Sequence, residues 1–228
     1  LLHVGALGLA EREAQALTGA ADPIERADAL RVLALTDLAG RPADLADPAV
    51  HHQAGAALAV LHGLPMTRHD PLSVADALRA RLVRWIDEAD GVLDDATVDR
   101  VAEKFADPAL FAGCRRAWCH RDFSPRNWVE DGGVFGLLDF EHCGPDLPLF
   151  DLVKLADDAW RRFPTTRDAL FVGYGRRLSA EDAERLERLM WLHALSTTAW
   201  ASTHGDAEYE RHGRALLSAL HAGWAPAG

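Results

Sequence analysis

One stretch, Trp118 to Asp151, limits what this chain can fold into more than any other. It reads WCHRDFSPRNWVEDGGVFGLLDFEHCGPDLPLFD. Three polar groups interrupt its apolar flanks: Asp122 and Asn127 in H-R-D-F-S-P-R-N, then Asp139 in L-L-D-F. Glu130-Asp131-Gly132-Gly133 is a turn signal between apolar runs, so Val129 to Phe140 is expected as a small β-hairpin. That hairpin would fold Asp139 back beside Asn127 and bring two oxygen ligands together near a second carboxylate. A hard cation such as Mg²⁺ takes oxygen ligands of this kind and keeps phosphates and water in its other positions. Asp122, just upstream, is then placed to accept a proton from a hydroxyl that attacks a phosphate. A lone Asp caps a helix or makes a turn just as readily. The spacing carries the reading.

The pattern H-x-D-x4-N, followed by an apolar strand ending in D-F, resembles the catalytic core of the kinase-like superfamily. Glu141 follows Phe140 where protein kinases have the glycine of D-F-G, and no A-P-E occurs. The short span from Asp139 to Phe150 also leaves no room for an activation segment, so a protein substrate is not expected. The branch it resembles most is that of the aminoglycoside phosphotransferases and choline kinases, with G-P-D-L-P-L-F-D-L after the hairpin. The resemblance implies a protein-kinase-like α+β fold of two lobes. Residues 1–40 would be a partial small lobe and hinge. Residues 41–228 would be a mostly helical large lobe carrying the catalytic β-hairpin.

The resemblance also implies roles. Asp122 would be the catalytic base, Asn127 and Asp139 the Mg²⁺ ligands, and Thr36, Asp37 and Leu38 the hinge that binds the base of ATP. His120 would orient the loop, and Asp151 would support it by hydrogen bonding, although a helix-dipole contact explains Asp151 equally well. Arg121 occupies a position where many relatives have Gly, and either pairs with a carboxylate or is a solvated charge. Arg126, beside the Asn, is a candidate to contact a γ-phosphate, because guanidinium suits bidentate phosphate contacts. Ser124 stands where Ser/Thr protein kinases carry a Lys.

The amino-terminal part departs from the pattern. Pro23 to Asp28 and Leu30 to Thr36 read as short strands after a helical stretch, Ala10 to Leu17, but no phosphate-covering loop precedes Leu1. If LLHVG is the lysine-bearing strand, His3 stands in place of the Lys and Glu13 or Glu11 lacks an ammonium partner. The chain opens on Leu1 rather than Met, so a further piece upstream is one explanation and a misassigned strand another.

Helices are expected at Pro48–His62, from Ser73, at Asp94–Phe105, at Phe150–Trp160, from Ser179 to about Thr203, and at Glu208–Ala219, with a loose tail after them. His51, His52 and His62 read as surface or capping residues, since no Cys or carboxylate lies at ligand spacing. Glu141, Asp157, Asp158, Asp206, Glu208 and Glu210 read one by one as surface charge, and Trp160, Trp191 and Trp200 as core.

The 228 residues, 49% hydrophobic, can bury a substantial core. The net charge of −11 argues against a nucleic-acid binder and suits a cationic small substrate. Three cysteines without C-x-x-C spacing suggest reduced thiols and a cytoplasmic setting. No apolar run reaches the length of a membrane span. The expected function is Mg²⁺-assisted, ATP-dependent phosphorylation of a hydroxyl on a small cationic molecule, an aminoglycoside-like antibiotic or amino sugar leading. A non-catalytic nucleotide-binding relative and a metal-dependent phosphohydrolase are the rival readings. Oligomeric state is not legible.

Overall fold

Gly132 and Gly133, both at positive φ (56° and 85°), turn the chain between two antiparallel strands at the place the turn signal marks. The computed structural model describes residues 40–66 and 72–226. The strands expected at 23–28 and 30–36, the helix at 10–17, His3 and the hinge residues Thr36, Asp37 and Leu38 lie outside the described residues.

The described strands are short: β1 (Arg41–Pro42), β2 (Ala117–Cys119), β3 (Trp128–Asp131), β4 (Val134–Leu137) and β5 (Gly144–Asp146). The hairpin β3–β4 carries β1 on its outer side, and Asn127 O accepts from Leu138 N at 2.8 Å to extend the ladder toward Asp139. The pairing of β2 with β5 is not expected from the sequence, because G-P-D reads as a turn. It brings the strand before the catalytic loop against the chain that leads to Asp151.

The helices are α1 (Pro48–His62), α2 (Val74–Glu88), α3 (Asp95–Lys104), α4 (Phe150–Lys154), α5 (Thr165–Tyr174), α6 (Ala180–His204) and α7 (Ala207–His221). Four of them start on a side-chain cap of the same kind, and three of these, Ser73, Asp94 and Ser179, stand where helices are expected to begin. Ser73, Asp94, Ser179 and Asp206 each accept from a backbone N–H three residues on, which satisfies a donor the helix itself cannot. α4 continues through a π-helical turn, Leu155–Ala159, into a last turn at Trp160–Arg162.

α6 is the centre of the core. It buries Leu186, Leu189, Met190 and Leu195, as its periodicity predicts, and packs on α2, α3, α4 and α7. α1 buries Val50, Ala54, Leu58 and Leu61 against α5, a helix the sequence does not announce behind Pro164. Glycines let these helices cross closely. A Cβ on Gly55 would overlap the Leu170 carbonyl, and one on Gly173 the His52 carbonyl. No described helix is long and apolar enough to cross a membrane.

Three expectations are corrected. His51 is buried and His62 half-buried, with its side chain only 6% exposed: His51 lies edge-on to Trp128 with Nε2 at 2.9 Å from Leu45 O, and His62 is bound to Asp151 and Tyr174. Sequence spacing cannot show these contacts, because the partners lie far along the chain or on the backbone. The tail is not loose at Trp224, which packs on the core with the Arg161 guanidinium 5.0 Å from its ring. Trp200 is exposed, whereas Trp160 and Trp191 are core residues.

Candidate active site

Asp151 holds the catalytic loop in shape. Its carboxylate is buried and accepts from the backbone N–H of His120 (2.8 Å) and of Arg121 (2.6 Å), and lies 3.0 Å from His62 Nε2. Hydrogen bonding, rather than a dipole contact alone, accounts for its place at the start of α4. Those bonds fix Arg121 at φ 66°, a conformation glycine adopts freely and a bulky residue does not. His120 ties the loop to the hairpin: Nε2 lies 2.8 Å from Leu138 O, and Nδ1 accepts from Asp122 N at 3.3 Å. Its ring packs edge-on to Phe140 at 4.8 Å. Both contacts agree with an orienting role.

Asp122 is 5% exposed. Arg126 donates to both of its oxygens, at 2.8 and 3.1 Å, and Lys154 Nζ is hydrogen-bonded to Oδ1. Burial alone would raise the Asp122 pKa; the hydrogen bonds and charge of Lys154 and Arg126 outweigh it and hold the carboxyl below the ordinary range. Contact with Asp122 in turn raises the Arg126 pKa, and Asp139 adds to that through its charge. The structure therefore places Arg126 on the carboxylate of Asp122. Lys154 escapes sequence reasoning altogether. Its one available signal is that it follows Asp151 by a single helical turn.

Asn127 is buried, and its Nδ2 donates to Asp122 O at 2.9 Å, which leaves its side-chain oxygen as an acceptor. Asp139 follows Leu138 at the end of the hairpin, exposed and at φ 63°. Both present oxygen donors, the chemistry a hard divalent cation takes. Ser124 Oγ is buried in the same loop with no hydrogen-bond partner among the described residues.

A second cluster corrects the reading of Asp157 as surface charge. It is buried in the π-helical turn, with Oδ2 2.6 Å from His212 Nε2 and 3.3 Å from His193 Nε2. Burial opposes its ionisation, but the two imidazoles hold its pKa far below the ordinary range, and the His212 pKa rises through the bond to Asp157. A third grouping brings Cys119 within ligand distance of His62 and Asp151. The Asp151 oxygens there already accept from the loop, and burial keeps Cys119 a thiol, its Sγ 3.4 Å from Asp146 O, so the grouping is read as structural. A cleft of about 140 Å³ opens beside Lys154, between α2, α4 and α6.

A family profile described as the phosphotransferase enzyme family matches residues 8–189. No curated protein matches the chain. Solved structures do. The GDP and kanamycin complex of APH(2")-IIia superposes with a TM-score of 0.62 at 16% identity, over 79% of this chain and 64% of that one. A macrolide 2'-phosphotransferase from Brachybacterium faecium gives 0.55 at 20% identity, over 79% and 67%. A choline/ethanolamine kinase family protein from Mesorhizobium loti gives 0.60 at 21%, over 79% and 65%. The chain thus spans about two thirds of the length of the structures it matches, and at these identities the likeness is one of fold, the protein-kinase-like α+β fold. With the family profile matching most of its length, the chain belongs to the phosphotransferase enzyme family.

Proposed function

We propose that this chain transfers the γ-phosphoryl group of a nucleoside triphosphate, ATP first, to a hydroxyl of a small molecule. The observation that supports this most is the state of Asp122: an ionised carboxylate on a loop tied down by Asp151, with its oxygens facing two cations. In the step proposed, the acceptor oxygen bonds the γ-phosphorus, the bond to the leaving oxygen of ADP breaks, and the hydroxyl proton passes to Asp122. Lys154 and Arg126 keep Asp122 ionised until then, and Arg126 is proposed to turn to the transferring phosphate once nucleotide is bound. An Arg126→Ala chain with unchanged turnover and nucleotide affinity removes that second role.

Asn127 and Asp139 are proposed to hold Mg²⁺, a fit supported by their two oxygen donors and by the single orientation the Asn127 amide can take. The ion, when bound, offsets the charge of the phosphates. Thr36, Asp37 and Leu38 remain the proposed hinge for the nucleotide base. The net charge of −11 and the neighbour solved with kanamycin point toward a cationic acceptor of aminoglycoside type, but the charge gathered at the site itself is the stricter criterion for the acceptor.

Calorimetric titration of the chain with MgATP and MgGTP, with Asp139→Ala alongside, tests the reading. Metal-dependent binding that disappears in the variant is the expected result. Binding that is absent, or that persists unchanged in the variant, removes it. Binding without transfer to any hydroxyl compound favours a non-catalytic nucleotide binder instead.

A further inference from the structure

The cleft beside Lys154 has a charge opposite to that of the chain. Arg81 from α2, Arg121 from the catalytic loop and Lys154 from α4 line it, together with the apolar faces of Trp85, Phe150 and Leu192. Arg81 donates to Asp146 at 2.8 Å, and Arg121 Nε lies 3.3 Å from the same carboxylate oxygen. Lys154 and Arg126 share Asp122. Among the described residues, three cations, Arg81, Arg121 and Lys154, thus line the cleft and no carboxylate does, with Asp146 and Asp122 behind them. His193 also lines the cleft, and Asp157 behind it is matched by His212 and Arg161. Asp139, the other carboxylate near Arg126, is the proposed metal ligand.

Each guanidinium carries five N–H donors in a plane, and Asp146 engages only one edge of each. A carboxylate is already the group that these two arginines grip. The Arg81 guanidinium lies 4.3 Å over the Phe150 ring, so cation and aromatic face meet on one wall of the cleft. An ammonium group there would meet like charges, which costs affinity.

Resting on the phosphotransfer reading above, we propose that the hydroxyl acceptor is a carboxylate-bearing molecule with a flat apolar body, its carboxylate held by Arg81 and Arg121. The acceptor is a hydroxy acid rather than an amino sugar. The carboxylate anchors one end, Trp85, Phe150 and Leu192 cover the body, and the hydroxyl at the other end reaches Asp122.

Three probes of one shape separate the charge from everything else: 4-(hydroxymethyl)benzoate, benzyl alcohol and 4-(hydroxymethyl)benzylamine. Their binding to the full chain is measured by calorimetry, and phosphate transfer by ADP release. The expected result is that the benzoate binds at least about tenfold more tightly than the amine, the scale of one charge-assisted hydrogen bond. In Arg81→Gln that preference collapses while MgATP affinity is unchanged. Arg81→Met serves in the same way should the first variant not fold. An amine that binds as well as the benzoate, or a preference that survives both substitutions, overturns the proposal. Loss of MgATP binding in the parent chain instead overturns the phosphotransfer reading, and the benzoate-against-amine comparison still decides the charge of the cleft.

Discussion

Asp122, the proposed base, has its readiness set by its neighbours rather than by itself. Its carboxyl is acidic because Lys154 and Arg126 offset the cost of burial. Replacing Lys154 with Met leaves the burial and removes one cation, so the carboxyl becomes harder to ionise. The acidic limb of kcat/KM against pH is then expected to move to higher pH, with the rate on the plateau falling about tenfold or more. A limb that stays in place separates Lys154 from the base. The Asp157 cluster gives a pH signature of stability instead. His212 has a raised pKa, so its contribution is complete below the ordinary value of 6.5 and fades as pH rises through the folded one. The Asp157 contribution has the other sign, present above the ordinary carboxylate range and lost as pH falls through its lowered value. His212→Ala should therefore lower Tm more at about pH 6 than at about pH 9, as read by thermal melts in matched buffers. Sequence spacing can single out Asp122, Asn127 and Asp139 as candidates because loop and hairpin are local. Lys154, His193, His212 and Arg81 reach their partners only through helix packing, and no spacing rule announces such contacts.

Elements in this fold are placed by what they lack as much as by what they carry. Gly173 of α5 sits on the His52 carbonyl and Gly55 of α1 on the Leu170 carbonyl, so the two helices cross backbone to backbone. Gly213 of α7 meets Thr198 of α6 in the same way. Gly173→Ala must push α1 and α5 apart, and α1 ends in His62, which contacts Asp151. We expect a loss of about 1–3 kcal/mol in urea unfolding. Gly175→Ala, at φ 80° with open space around it, is expected to cost about 1 kcal/mol through the backbone alone. Equal losses at the two positions would mean that the crossing is not close. Three of the seven described helix starts can be read from Ser73, Asp94 and Ser179, because a cap is a local device. α5 could not, since Pro164 before it and Gly173 within it read as breakers until the helix that Gly173 touches is known.

At the scale of the molecule, the buried side chains of the described residues form one continuous core from α1 to α7. Trp128 in β3 and Trp191 in α6 both lie in it, and each is nearly inaccessible to water. Tryptophan fluorescence and far-UV circular dichroism should then report a single coincident unfolding transition. Two separated midpoints would mean that the hairpin region and the carboxy-terminal helices unfold apart. The net charge was legible from composition and pointed toward a cationic acceptor, yet composition cannot say where charges gather, and the cleft collects a positive excess within an acidic chain.

The π-helical turn at Leu155–Ala159 carries a further consequence for how this chain can vary. Such a turn holds one residue more than an α-helix of the same rise. Upstream of it stand Asp151 and Lys154, bound to the catalytic loop; within and beyond it stand Asp157 and Trp160, one bound to histidines and one in the core. Removing one residue would rotate one set against the other by about 100°. Descendants of this chain can exchange residue types along the segment, but a gain or loss of a single residue there would put either the proposed base or the core out of register.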